Sequence, residues 1–461
     1  MTKKKKILLL SDDLRMHSGI ATVSKEIVLG TAHEYDWVQL GAAVTHPDQG
    51  KILDLSQELQ ENLGIKDANV KIYPWSGYGN PDILRELINI EQPDAILHFT
   101  DPRFWGWLYQ MEHELRQSIP IFYYTIWDDT PYPMYNKSYY QSCDLLMCIS
   151  KQTYNIVKNV LKDDNYEDWQ ITYVPHGINE NTFFPIREGH KDYEKFLDFK
   201  DRLLGKENPE FIFLYNNRNI RRKHASDLII AYNEFCNKLT KEQASKCLLI
   251  MHTEPVDENG TDLPAVIKDL GVKHPIKFTN VKAVPQAEIN FLYNLADVTV
   301  NIASNEGFGL GTAESIMAGT PIIVNVTGGL QDQCGFKKAD GTYLTEHDYT
   351  DEFPTNADGV YKEHGEWCAP VFPAVRTLQG SVPTPYIFDD IVDYKEVADA
   401  MMYWYGKSKE EREEAGVKGQ EYFKSVGAGL SAKEMSNRFI KDMNTAIEKW
   451  QPRKRFEIVK M

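Results

Sequence analysis

Residues 298–330, VTVNIASNEGFGLGTAESIMAGTPIIVNVTGGL, decide how this chain is read. An apolar run of strand character ends at Ala303, and a loop holding Glu306, Gly307, Phe308, Gly309 and Gly311 follows. A helical segment then carries Glu314, and Gly319-Thr320-Pro321 leads into a second apolar run, 322–326. Strand, loop, helix and strand in this order form the repeating unit of a parallel sheet with crossover helices. With the helix predicted to start near Thr312, the N–H groups of Gly309, Leu310 and Gly311 face outward as anion donors. Glycine lets a ligand approach that backbone closely. Glu306 and Glu314 flank the loop and accept hydrogen bonds from hydroxyls. A first-turn Glu or a G-x-G-x-G run is commonplace alone; the conjunction carries the reading. It suits a ligand with hydroxyls at both ends and a phosphate between them, as in a nucleotide sugar.

The same alternation extends outward in both directions. Segments 6–10, 95–99, 119–126, 145–149 and 171–174 read as buried strands, with helices over 20–29, 83–90 and 151–161 between them. A polar stretch, 187–209, interrupts the pattern, which restarts with strands at 211–215, 247–252 and 276–278 and helices at 225–239 and 289–295. The expected fold is therefore α/β, with two Rossmann-like, doubly wound domains facing each other across a cleft. The domains are placed at 1–190 and 209–430, joined by a linker at 191–208. Residues 334–389 form an irregular insertion rich in Gly, Pro and Asp. A final helix lies within 431–461, with the C-terminal helices expected to pack back on the first domain. Open sheets of this kind take ligands at the carboxyl ends of their strands.

Composition narrows the classes of partner. A chain of 461 residues exceeds the size of a single core. Its net charge of −16 argues against a protein built to grip a polyanion. No apolar run is long enough to span a bilayer, and the run 7–10 ends at Asp12-Asp13, too short for a signal peptide. The six cysteines lack paired or metal-type spacing, which points to a reducing, cytoplasmic setting. The adjacent pairs Asp12-Asp13, Asp128-Asp129 and Asp389-Asp390 are not D-x-D, so no metal site is expected.

A second motif follows the strand at 211–215. In YNNRNIRRKH, four basic residues fall within the six positions 218–223. At a sheet's carboxyl edge such a cluster points at a small anion, with Arg218 as a bidentate clamp and Lys223 as a point charge.

Arg218-x4-Lys223 followed by Glu306-x7-Glu314 resembles the retaining GT-B glycosyltransferases of family 4. Ser18-Gly19 lies where that family often has Gly-Gly, DLLMCIS (144–150) resembles its "AD.VI.VS" strand, and VPHGIN (174–179) resembles its "IPNGVD". The stretch from Phe278 to Val281, then 289–295, is similar to the part that holds the donor base, and Gly328-Gly329 to a Gly-Gly turn. The resemblance implies that Arg218 and Lys223 bind and stabilise the leaving diphosphate. Glu306 would hold the sugar, Glu314 the ribose, and Gly19 would bring a helix N-terminus from the opposite domain. Asn280, Val281, Phe308, Gly309 and Leu310 would complete the donor site. It implies no cofactor and no metal, the nucleotide-diphosphate sugar being a co-substrate. The acceptor is a hydroxyl on a glycan, lipid-linked sugar, protein or modified nucleic-acid base.

The chain departs from the family after the strand YYTI (123–126), where Trp127 stands in place of a His. A Trp ring nitrogen only donates. Asp128 or Asp101 is the substitute for polar contact with the transferred sugar, and Trp105, Trp127 and Tyr132 are candidates for stacking on the acceptor. His98 reads as a structural hydrogen-bonder. Two rival readings stand beside glycosyl transfer: a GT-B sugar-nucleotide epimerase or hydrolase, which needs no acceptor site, and a non-catalytic nucleotide-sugar binder.

Overall fold

The run Lys5–Asp12 forms the strand β1, in which Ile7, Leu8, Leu9 and Leu10 are fully buried. Uninterrupted apolar runs of this kind belong to parallel sheets covered on both faces. The computed structural model describes residues 3–45, 47–279 and 284–454. After β1 come β2 (Tyr35–Val44), β3 (Leu53–Asp54), β4 (Val70–Ser76), β5 (Ala95–Phe99), β6 (Ile121–Thr125), β7 (Leu145–Cys148) and β8 (Ile171–Tyr173). They form one sheet in the order β3-β4-β2-β1-β5-β6-β7-β8, parallel except for the short β3. Chain order reverses between β1 and β5, which opens a crevice at the carboxyl edge there.

The second sheet repeats the plan. It uses β9 (Phe211–Asn216), β10 (Cys247–His252), β11 (Ile276–Phe278), β12 (Val298–Asn301), β13 (Ile322–Asn325) and β14 (Cys368–Val371). The order is β11-β10-β9-β12-β13-β14, and all its pairs are parallel. Here the reversal falls between β9 and β12, the strands that feed the basic loop and the glycine loop.

Two stretches that composition marked as irregular are ordered. Residues 193–204 of the expected linker form the helix Tyr193–Leu204. Its apolar residues Tyr193, Phe196, Phe199 and Leu203 recur at helical spacing, and Phe199 packs on Phe291 with ring centroids 5.6 Å apart. Lys, Asp and Glu between them mask that period. The insertion 334–389 supplies the edge strand β14 and most of an antiparallel hairpin, β15 (Val375–Ser381) and β16 (Thr384–Ile391).

The chain ends by returning to the first domain, as expected. The helix Ala432–Lys449 buries Met435, Phe439, Met443 and Ala446, spaced as one helical face. It crosses the helix Gly19–Thr31, where Gly30 backs onto Ser436. Phe439 meets Tyr124 edge-on, with centroids 4.9 Å apart, and Tyr35 donates its hydroxyl to Asn444 Oδ1 at 2.9 Å. Removing Phe439 would cost about 3–5 kcal/mol by the usual price of a large core truncation.

Candidate active site

The second-domain wall of the cleft is built by the two loops at its topological reversal. After β9, residues Arg221–Lys223 make a single 3-10 turn. That turn buries the Lys223 side chain to 7% exposure and puts its Nζ on Glu306 Oε2. Arg222 Nη1 donates to Asn305 O at 2.5 Å and lies 3.4 Å from the same Glu306 oxygen. Burial and the neighbouring Arg222 charge push the Lys223 ammonium well below the usual lysine range, with Asp128 opposing them. Arg218 does something else. Its side chain is 62% exposed and pairs with Asp257 at 3.0 Å, so Arg222 is the arginine that reaches Glu306. The 3-10 turn brings the partly exposed Arg222 side chain to Glu306, and spacing alone does not reveal that.

After β12 the chain turns at Gly309, whose φ of +89° suits glycine, and the helix Leu310–Met317 begins. The helix therefore starts two residues before the expected Thr312, and Glu314 lies past its first turn. Gly309 caps it without a side chain, so the first N–H groups are left for a ligand. Glu314 is buried and accepts from Tyr293 Oη at 2.7 Å; Tyr293 Oη in turn accepts from Asn216 Nδ2 at 2.6 Å. Burial raises the Glu314 carboxyl pKa from 4.5 to about 7. Asn216 falls within the motif after β9 and Tyr293 within 289–295, the stretch similar to the donor-base part, yet neither stood out as a site residue, because the link to Glu314 joins distant parts of the chain.

The first domain faces this wall closely. The backbone at Gly19, the first residue of the helix Gly19–Thr31, runs so near Leu310 that a β-carbon there would lie 3.3 Å from Leu310 Cδ1. Two helix N-termini, one from each domain, thus meet across the cleft. Ser18 caps the first by accepting from Ala21 N at 3.0 Å and donates its hydroxyl to Asp12 at 2.7 Å. Phe308 is buried against the His176 ring, with centroids 5.0 Å apart. His176 shares a hydrogen bond with Tyr124 Oη at 2.7 Å, and burial lowers its pKa to about 3, so it is neutral.

The acceptor-side candidates divide. Asp128 is half-buried and close to the Gly307 backbone; burial raises its pKa while Arg222, Lys223 and Arg103 oppose the shift. Trp127 donates its ring N–H to Asp129 O at 2.6 Å and carries the Arg103 guanidinium over its face at 5.9 Å. Tyr132 is half-buried and accepts from Asn155 Nδ2 at 3.4 Å. Asp101 caps the turn Pro102–Trp105 and pairs with Arg103. Trp105 is fully buried, so it is a core residue and not a stacking surface; the turn that Asp101 caps folds it inward. His98 is buried and neutral, bonded to Tyr109 Oη at 2.7 Å, in keeping with a structural role. Asn280 and Val281, expected at the donor base, lie outside the described residues. Among the described residues, no group of three His, Cys, Asp or Glu side chains is gathered to hold a metal ion. None of the described helices is long and apolar enough to cross a membrane.

Residues 198–351, which contain both cleft loops of the second domain, match the family described as glycosyl transferases group 1. The chain superposes on Anabaena HepE in complex with UDP and glucose, with a TM-score of 0.62 at 13% identity over 96% of this chain and 100% of that one. It also superposes on sucrose-phosphate synthase from Thermosynechococcus elongatus, with a TM-score of 0.64 at 14% identity over 96% and 100% of the two chains. The chain has the GT-B fold, and its residues 198–351 are similar to the glycosyl transferases group 1. Curated relatives of this GT-B chain include the alpha-monoglucosyldiacylglycerol synthase of Acholeplasma laidlawii, 28% identical over 41% of this chain and 43% of that protein. Another is the mannosylfructose-phosphate synthase of Agrobacterium fabrum, 24% identical over 41% of this chain and 39% of that protein. The matches span about two fifths of those relatives' length.

Proposed function

We propose that this GT-B chain transfers a sugar from a nucleotide-diphosphate sugar to an acceptor hydroxyl, with retention at the anomeric carbon. One observation carries the reading. Lys223 and Arg222 meet Glu306 on one cleft wall, and Glu314 lies on the helix Leu310–Met317, whose N-terminus comes close to the helix N-terminus at Gly19 of the first domain. In this reading Lys223 and Arg222 take the diphosphate, assisted by the N–H groups at Leu310 and at Gly19. Glu306 releases the two cations and takes sugar hydroxyls instead, and Glu314 takes the ribose hydroxyls.

The reaction breaks the bond between the anomeric carbon and the diphosphate oxygen and forms one to the acceptor oxygen on the same face. Negative charge develops on the departing diphosphate, where fixed cations and helix dipoles stabilise it most. The acceptor proton passes to the leaving diphosphate oxygen. The scheme assigns no step to a metal. Incubating the protein with UDP-, GDP- and ADP-sugars and following products by proton NMR tests it. A product glycoside with the donor's anomeric configuration is expected. An isomerised donor, or a product of opposite configuration, would overturn the reading.

A further inference from the structure

The hairpin formed by β15 and β16 follows the second sheet in the chain, yet it is bonded to both domains. On the first domain, Phe388 N donates to Thr130 O at 2.8 Å, Tyr135 Oη to Tyr386 O at 2.7 Å and Tyr386 Oη to Tyr132 O at 3.1 Å. Arg103 adds a hydrogen bond to Thr384 Oγ1. On the second domain, Asp390 N donates to Ser304 O at 3.1 Å, Asn325 Nδ2 to Asp390 O at 2.7 Å and Thr327 Oγ1 to Asp390 Oδ2 at 2.8 Å. Arg376 in β15 grips the buried Asp390 carboxylate, with Nε 2.6 Å from Oδ1.

The two sets of contacts meet at Asn305, which is 4% exposed and immediately precedes Glu306. Its Nδ2 donates to Phe388 O at 2.5 Å and to Asp129 Oδ2 at 3.3 Å, while its carbonyl accepts from Arg222 Nη1 at 2.5 Å. Asp129 is itself fully buried on the first domain, where its Oδ1 accepts from Thr130 N at 2.7 Å and Gln152 Nε2 at 3.0 Å. One residue is therefore fixed at its side chain by the hairpin and the first domain, and at its backbone by the basic loop. Fixing that peptide unit fixes the direction in which the next side chain leaves the backbone.

We propose that the hairpin 375–391 is an interdomain clasp that aims the Glu306 carboxylate through Asn305. The proposal rests on the reading of Glu306 as the group that holds the donor sugar. Asn305 is a positioning residue: it touches Phe388, Asp129 and Arg222, and no part of the donor. Separation of the domains breaks the Asp129 and Thr130 contacts together, so Asn305 keeps its full set of partners only when the first domain is docked, while Lys223 and Arg222 hold the Glu306 carboxylate from within the second domain. Buried side-chain networks of this kind are cooperative, and loss of one member loosens the rest.

Calorimetry with UDP, GDP and ADP and with their glucose esters tests this, because Glu306 acts on the sugar and not on the diphosphate. The quantity read is the ratio of nucleotide-sugar affinity to nucleoside-diphosphate affinity, relative to the unmodified protein. Glu306→Gln is expected to lower it about tenfold, the worth of one hydrogen bond to a charged group. Asn305→Ser, and the paired change Arg376→Leu with Asp390→Leu, are expected to lower it at least fivefold while diphosphate affinity stays within twofold. The double variant Asn305→Ser with Glu306→Gln should be no worse than Glu306→Gln alone. If a buried variant fails to fold, Tyr386→Phe decides, since it removes interdomain hydrogen bonds with little change in packing; a lowered ratio supports the clasp and an unchanged one overturns it. An unchanged ratio in Asn305→Ser and in the paired variant overturns the clasp and leaves the donor reading standing. Equal loss of both affinities also overturns it, as the mark of a purely structural role. Failure of the unmodified protein to bind any of the six compounds overturns the donor reading, and the clasp with it.

Discussion

The two walls of the cleft are made differently. The second-domain wall is charged, and its ionic groups face one another: Lys223 and Arg222 on Glu306, and Tyr293 on Glu314. The first-domain wall carries aromatic side chains, and its polar groups bond to backbone or to other side chains, as when Trp127 donates to Asp129 O and Arg103 pairs with Asp101. A charged wall with self-paired groups is a site whose ligand substitutes for those pairs. A wall tied to its own backbone and to the hairpin is a shaped surface.

That contrast is broken most sharply at Lys223. Lys223→Ala should reduce transfer by about 10²–10³-fold, the effect of deleting one preorganised group opposite developing charge. Steady-state rates at saturating donor check it, and a change under fivefold would remove Lys223 from the chemistry. Next comes Glu314, whose carboxyl pKa is raised from 4.5 to about 7 by burial. A raised folded-state pKa gives stability that is full below 4.5 and is lost as pH rises through about 7, worth roughly 3 kcal/mol in all. Urea midpoints measured across that window should fall with pH in the unmodified protein and flatten in Glu314→Gln. Smaller again is the distinction between the two arginines. Arg222→Ala should weaken nucleotide-sugar binding by about tenfold, as for one charge-assisted hydrogen bond. Arg218→Ala should change it by less than about threefold, because an exposed pair such as Arg218–Asp257 contributes little. Titration of both variants with one nucleotide sugar orders them, and the reverse order would restore Arg218 to the site.

Much of the second-domain wall was legible because its signal is local. Strand, glycine loop and helix follow one another between 298 and 317, and the pairing of Glu306 with Lys223 follows from two loops at one sheet reversal. The choice of Arg222 over Arg218 was not legible, since the 3-10 turn 221–223 brings Arg222 to Glu306 while Arg218, three residues before the turn, pairs with Asp257. The helix Tyr193–Leu204 was hidden by its polar composition, although its aromatic residues kept helical spacing. The hairpin's role was out of reach for a different reason. Asn305 finds Phe388 across 83 positions of chain and Asp129 across 176, and no window of sequence contains those partners together. The aromatic bias of the first domain was visible, but the division between buried Trp105 and half-buried Trp127 and Tyr132 is set by packing.

The central claim is that Lys223 serves the diphosphate and Glu306 the sugar, the two holding each other until a donor separates them. Affinity for a bare nucleoside diphosphate, measured by calorimetry for Lys223→Met and Glu306→Gln, tests it most directly. The account predicts that Lys223→Met loses about tenfold or more, the worth of a hydrogen bond to a charged group. It predicts that Glu306→Gln binds the diphosphate as tightly as the unmodified protein or more tightly, because Lys223 is then freed. Undiminished affinity in Lys223→Met, or equal losses in the two variants, would contradict it.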